Sequence, residues 1–173
     1  LEHFRLDGLS SNWLGGEFYS AFCNAANDAR VSVSSQNFIY LMTNTIDGNL
    51  STKWLSNEDK PWIQLDWSTP IRCRGVSLYE LADDMHITAG ELSFSDGSSL
   101  AVGELPDDGS EHYLSFDTKD IQRMRFQITE GSSGKQGLRE IEIFQRYTHR
   151  VSVDDATSPS LPKEFILHPT YPN

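Results

Sequence analysis

The chain has 173 residues, 38% of them hydrophobic, with 14 Lys and Arg against 25 Asp and Glu and a formal net charge of −11. That length suits one domain with short extensions, and such a chain buries roughly 70% of the surface its unfolded form exposes, so it needs no staple to fold. The acidic balance works against phosphate backbones and anionic lipid as partners, and the chain has no run of about 18 apolar residues to span a membrane.

Residues 1–30 mix apolar and aromatic side chains (Phe4, Trp13, Phe18, Tyr19, Phe22) and end in the Ala-rich stretch 24–29, which predicts an extension that caps or covers the domain. The chain begins at Leu1, which leaves a removed leader and an internal boundary equally open. From residue 37 onward the pattern changes to short alternating runs. Trp62 to Trp67, Gly75 to Tyr79, Glu91 to Phe94, Leu100 to Val102, Tyr113 to Phe116, Met124 to Ile128 and Ile141 to Ile143 each read as a strand with one face on a core and one in water. Asp96-Gly97 between two of these runs predicts a hairpin, because Gly accepts positive φ. Many short strands and no sustained helical period predict an all-β antiparallel sandwich or jelly roll over residues 31–150. Residues 151–173 hold four of the seven prolines and read as an extended tail or linker.

Cys23 and Cys73 fit no CxxC pattern; a disulfide tying the extension to a strand and two free thiols are both open. Catalysis finds no support in motif: there is no G-x-S-x-G, no H-E-x-x-H and no phosphate-cradling Gly loop, and the five histidines are scattered without metal spacing.

Three stretches carry more information in combination than apart: 46–56 (IDGNLSTKWLS), 61–67 (PWIQLDW) and 137–144 (GLREIEIF). In this order and spacing they resemble the discoidin, or coagulation factor 5/8 type C, family, whose galactose-binding-like fold includes many carbohydrate-binding modules. The resemblance covers about residues 31–147, and residues 90–99 (GELSFSDGSS) look like a branch of uncharacterised modules in fungal and bacterial secreted proteins. Two departures stand out: the second stretch ends in Trp67-Ser68 where the family has Leu-Gly, and residues 1–30 and the tail have no counterpart.

The resemblance implies a structural calcium held by Asp47, Thr52 and Glu140, with Asn49 supplying a carbonyl; calcium takes six to eight oxygens of these kinds. The plainer reading of the Asp47–Thr52 stretch is an Asx-type turn in which side chains bond only backbone amides. Asn49-Leu50-Ser51 is also a glycosylation sequon, and a glycan there would leave only the carbonyl of Asn49 to act as a ligand. For an organic ligand the candidates are Asp83, Asp84 and His86 in the loop after Tyr79, with Lys53, Trp67 and Arg139 as charged and aromatic neighbours. Trp54 and Trp62 occupy motif positions that the family uses for its core. The expected protein is a secreted, non-catalytic module that binds a glycan through loops at one end of the sandwich. A protein-binding or adhesion domain is the alternative, which exposure of Trp13 or Trp67 would favour, and a membrane-surface module ranks last because these loops are acidic.

Overall fold

A computed structural model of the chain describes residues 17–19, 23–82, 85–132, 134–145 and 148–150. Its strands, in chain order, are β1 (Glu17–Tyr19), β2 (Cys23–Asn24), β3 (Arg30–Val33), β4 (Trp54–Leu55), β5 (Trp62–Glu80), β6 (Ile87–Phe94), β7 (Ser99–Val102), β8 (His112–Gly131), β9 (Gly137–Gln145) and β10 (Thr148–Arg150), with short 3₁₀ turns at Ala25–Asp28 and Met42–Thr45. All pairings are antiparallel, in the order β2-β9-β5-β8-β6-β7, with β3 on β5, β4 on β9, and β1 paired separately with β10.

The two layers of the sandwich share their longest strands. Runs that read as separate strands, Trp62 to Trp67 and Gly75 to Tyr79, are the two ends of β5, and Tyr113 to Phe116 and Met124 to Ile128 are the two ends of β8. The pairing of β5 with β8 shifts register between Asp66 and Ile71 and again between Cys73 and Gly75. Bulges of this kind bend a strand, so it can leave one layer and enter the other. Pro70 lies in the first irregular stretch, where its missing N–H costs no ladder bond.

The core fills the space between layers with the inward residues of every long strand, among them Ile63, Leu65, Val76, Leu78, Leu92, Met124, Phe126, Ile128, Ile141 and Ile143. Ala25 and Ala26 are part of it, so the packed unit takes in the end of the predicted extension. Trp54 is buried, with its indole N–H donated to the Ser35 carbonyl at 3.1 Å. Trp13, most of the extension and residues 151–173 lie outside the described residues.

Cys73 is buried and free, its thiol pushed up to about 12 by burial. Cys23 and Cys73 both sit opposite Gln145, on the two sides of β9. Two strand spacings separate them by about 9–10 Å, beyond the span a disulfide bridges.

Gly137 sets the depth at which β4 docks on β9. A methyl group there would overlap the Trp54 carbonyl, a backbone atom that no rotamer change can move. Gly137→Ala should therefore destabilise the chain by about 1–3 kcal/mol, seen as a lower urea midpoint with an unchanged m-value.

Candidate functional site

The segments 34–60, 81–82, 85–86, 103–111, 131–132 and 134–136 gather at one end of the sandwich. Hydrogen bonds link them: the Ser56 N–H donates to the Gln136 carbonyl at 2.9 Å, the His86 N–H to Ser132 Oγ at 2.8 Å, and the Leu105 N–H to the Ile87 carbonyl at 3.0 Å. Arg139 and Ala82 both lie against Gly109, the positive-φ residue of the 106–109 turn.

The turn following Met42–Thr45 brings Asp47, Asn49, Thr52 and Glu140 together. Gly48 has φ of 72°, a conformation that suits Gly, and its N–H donates to Glu140 Oε1 at 3.2 Å. Asp47 Oδ1 accepts the Asn49 N–H at 2.9 Å, and Asn49 Oδ1 accepts the Ser51 N–H at 3.0 Å, so both side chains cap the turn as an Asx motif does. The Asx reading does not exhaust the turn, however. Thr52 Oγ1 lies 2.8 Å from Asp47 Oδ2, 3.0 Å from Asp47 Oδ1, 2.8 Å from the Asn49 carbonyl and 3.4 Å from the Asn44 carbonyl. A hydroxyl has one proton to donate, so most of these acceptors go unserved by it.

Glu140 adds to the surplus of oxygen. It is 1% exposed, and its Oε2 has no hydrogen-bond partner. Burial, and after it the nearby Asp47 and Glu142 charges, push its carboxyl up to about 8. An acceptor-rich pocket with an orphaned buried carboxylate oxygen fits a hard cation. The donor set is two carboxylates, a hydroxyl and carbonyls; no cluster of three His, Cys, Asp or Glu exists among the described residues, as zinc sites require.

Beside this turn the chain exposes apolar side chains. Phe38 is 85% exposed, Ile39 62%, Leu41 43% and Leu50 47%. The segment is pinned at both ends: Asn37 N–H donates to the Leu55 carbonyl at 2.7 Å, Ile39 N–H to Asn37 Oδ1 at 3.0 Å, and Met42 N–H to Gln36 Oε1 at 3.1 Å. Lys53 Nζ lies 5.1 Å from the centroid of the Tyr40 ring. Sequence reasoning missed this segment. The available signal was four consecutive apolar residues, 38–41, that fit neither period, between a polar run and a turn.

The other sequence candidates fall in different places. Trp67 is in the core, with its indole N–H donated to the Ala25 carbonyl at 2.7 Å, which removes it from any ligand rim. Its parity with Ile63 and Leu65 on one face of β5 was the signal that it points inward. His86 is an internal clamp: Nδ1 is 2.8 Å from Glu80 Oε1 and Nε2 is 2.8 Å from Glu104 Oε1. Glu80 is fully buried and also accepts the Ile87 N–H at 2.8 Å. Hydrogen bonds to Glu104 and Glu80 raise the imidazole pKa to about 9, so it is charged at neutral pH and neutralises them. Both ring nitrogens are thus engaged within the chain. Lys53 and Arg139 are at the loop end, and Asp83 and Asp84 lie outside the described residues.

A family model described as a domain of unknown function, DUF7402, matches residues 24–144. No curated protein sequence matches the chain. Among solved structures, the family 32 carbohydrate-binding module of Clostridium perfringens NanJ, in complex with galactose, aligns with a TM-score of 0.61 at 15% identity, over 71% of this chain and 98% of that one. The module CpGH89CBM32-5, also from Clostridium perfringens and in complex with GalNAc-β-1,3-galactose, aligns with a TM-score of 0.60 at 19% identity, over 70% and 99%. A Streptococcus pneumoniae fucose-binding module aligns with a TM-score of 0.61 at 17% identity, over 74% and 99%.

Proposed function

The chain belongs to the DUF7402 family and has the galactose-binding-like discoidin fold, and from that premise we propose that it is a non-catalytic carbohydrate-binding module that takes its glycan at the loop end. The observation that carries the reading is the pinned, 85%-exposed Phe38 at that end. An exposed aromatic ring gains by covering the apolar face of a pyranose, and a loop already held by hydrogen bonds loses little freedom on binding. Arg139 and Lys53 supply charged donors at the same end. The solved carbohydrate-binding modules that share the fold support the ligand class.

In the same reading Asp47, Thr52 and Glu140 hold a calcium ion with their side-chain oxygens, and Asn49 with its carbonyl. When bound, the ion supplies positive charge to two carboxylates and cross-links the loop to β9; it has no part in chemistry. The side chain of Asn49 is turned to the Ser51 N–H, which leaves the carbonyl as its contribution. The reading places the module outside the cell, and no helix among the described residues is long and apolar enough to cross a membrane.

Titration with a panel of neutral mono- and oligosaccharides, followed calorimetrically in calcium, tests the proposal. One sugar class should bind in the weak range expected of a small wet site, and Phe38→Ala should reduce its affinity roughly tenfold, the value of about 1.4 kcal/mol of lost stacking and burial. Melting temperature should hardly change, because Phe38 is 85% exposed. The alternative, a protein-binding domain, draws support from the neighbouring exposed Ile39, Leu41 and Leu50. Binding of no sugar by a chain that still responds to calcium would move the assignment to it.

A further inference from the structure

The outward face of β3, the first part of β5, the second part of β8 and β6 carries a different chemistry from the loop tips. Register sets Arg30, Asp66 and Arg123 side by side across β3, β5 and β8. The next row has Gln64 opposite Arg125, and the one after it Trp62 opposite Gln127, with Glu91 beyond on β6. In a chain with 14 basic and 25 acidic residues, this face sets three guanidiniums against two carboxylates.

The cations are also incompletely neutralised. Arg123 Nε donates to Asp66 Oδ1 at 2.8 Å. Arg125 instead donates from Nε and Nη2 to the neutral amide oxygen Gln64 Oε1, at 2.9 and 2.7 Å, and its guanidinium lies 4.2 Å from the Trp62 ring centroid. Gln64 in turn donates to Asp66 Oδ2 at 2.7 Å. Among the described residues neither Arg125 nor Arg30 forms an ion pair. Arg125 is thus a half-buried cation fixed in place by neutral groups. Each guanidinium has five N–H donors, so both Arg123 and Arg125 keep donors for a ligand.

We propose that this face binds an acidic polysaccharide, one carrying carboxylate or sulfate groups on its rings, at a site separate from the loop end. Arg123 and Arg125 are about 7 Å apart along β8, and Arg30 and Arg123 about 10 Å apart across the sheet. That is an array of cations, Arg123 and Arg125 held by side-chain hydrogen bonds, suited to an extended chain of repeating anionic rings. Guanidiniums take carboxylate and sulfate by paired hydrogen bonds. The acidic remainder of the surface opposes the bulkier polyanions, duplex nucleic acid and anionic membrane, which reach past the face. The site does not depend on the loop-end reading.

The test is calorimetric binding of oligogalacturonate and of chondroitin sulfate oligomers to the full chain, with neutral dextran, duplex DNA and anionic vesicles in parallel. At least one acidic glycan should bind in a salt-sensitive way, and Arg30→Ala with Arg125→Ala should weaken it at least tenfold, while Phe38→Ala leaves it unchanged. Arg30→Ala alone should weaken it severalfold and should fold normally, because among the described residues the Arg30 side chain makes no hydrogen bond or close ion pair. Absence of binding to both acidic glycans, binding that ignores Arg30 and Arg125, or DNA or vesicles binding equally well would each overturn the proposal. A neutral-sugar response that survives in the arginine variants separates this failure from failure of the loop-end site.

Discussion

In calcium-free buffer the melting temperature should fall by roughly 5–10 °C between pH 5 and pH 8, and saturating calcium should return most of that loss at pH 8. The cause is Glu140. Its carboxyl titrates near 8 in the folded chain, against an ordinary value of 4.5, because burial opposes the charge and Asp47 and Glu142 add to that. With the folded value raised, the folded chain keeps a proton that the unfolded chain has lost. Stability from this group is full below about 4.5 and declines as pH climbs to 8, by a few kcal/mol in all. A calcium ion on the carboxylate replaces the missing proton, and an ion at 100 times its dissociation constant contributes about 2.7 kcal/mol. Glu140→Gln has no proton to lose, so its melting temperature should be flat across the lower part of this range and indifferent to calcium. An unchanged pH limb in Glu140→Gln, or no calcium response in the parent at pH 8, would remove the metal site from the proposed function.

Replacing His86 should cost about 2–4 kcal/mol at pH 7 without touching the loop-end ligand site directly. The imidazolium sits between a fully buried carboxylate and an exposed one, with both nitrogens 2.8 Å from oxygen. His86→Ala leaves Glu80 buried with only the Ile87 N–H as partner. Burial already raises the Glu80 carboxyl, so it can take up a proton and limit the loss, which keeps the figure below that of a fully stranded charge. The double variant Glu80→Gln with His86→Ala should recover much of the stability, since a neutral amide leaves no buried charge. Linkage has the same sign as for Glu140 but a later window: the folded imidazole pKa is raised from 6.5 to about 9, so its contribution is complete below 6.5 and lost as pH rises through 9. Calcium does not act on this limb, which allows thermal scans over pH to resolve the two groups. Equal melting temperatures for parent and His86→Ala at pH 7 would show that the clamp carries no stability.

The sandwich was legible because alternation is local. Ile63, Leu65, Met124, Phe126, Ile141 and Ile143 declare their face by period two, whatever partner strand they meet. The turn of Asp47, Asn49 and Thr52 was legible for the same reason, since its capping bonds span two to five residues. What alternation does not report is how a break in it is used. The irregular stretches at Asp66 to Ile71 and at Cys73 to Gly75 look like turns between strands, and only the ladder with β8 makes them bulges inside one long strand.

Charge and exposure were decided at long range. Glu140 reaches Gly48 across 92 residues, and whether its second oxygen finds a partner depends on everything packed around it. His86 became a clamp because Glu104, eighteen residues on, is carried beside it by the β6–β7 hairpin. Phe38 and Ile39 are exposed where the segment is held by the hydrogen bonds of Asn37 and Gln36, which local pattern does not report. Arg30 and Arg125, 95 residues apart in sequence, share a face only through β5. The amino-acid order by itself determined which residues can alternate, turn and be buried, because those are properties of neighbours. Which polar groups meet, which are stranded and which apolar side chains stay outside were settled by tertiary structure, because burial and electrostatic pairing depend on atoms that only folding brings within a few ångströms.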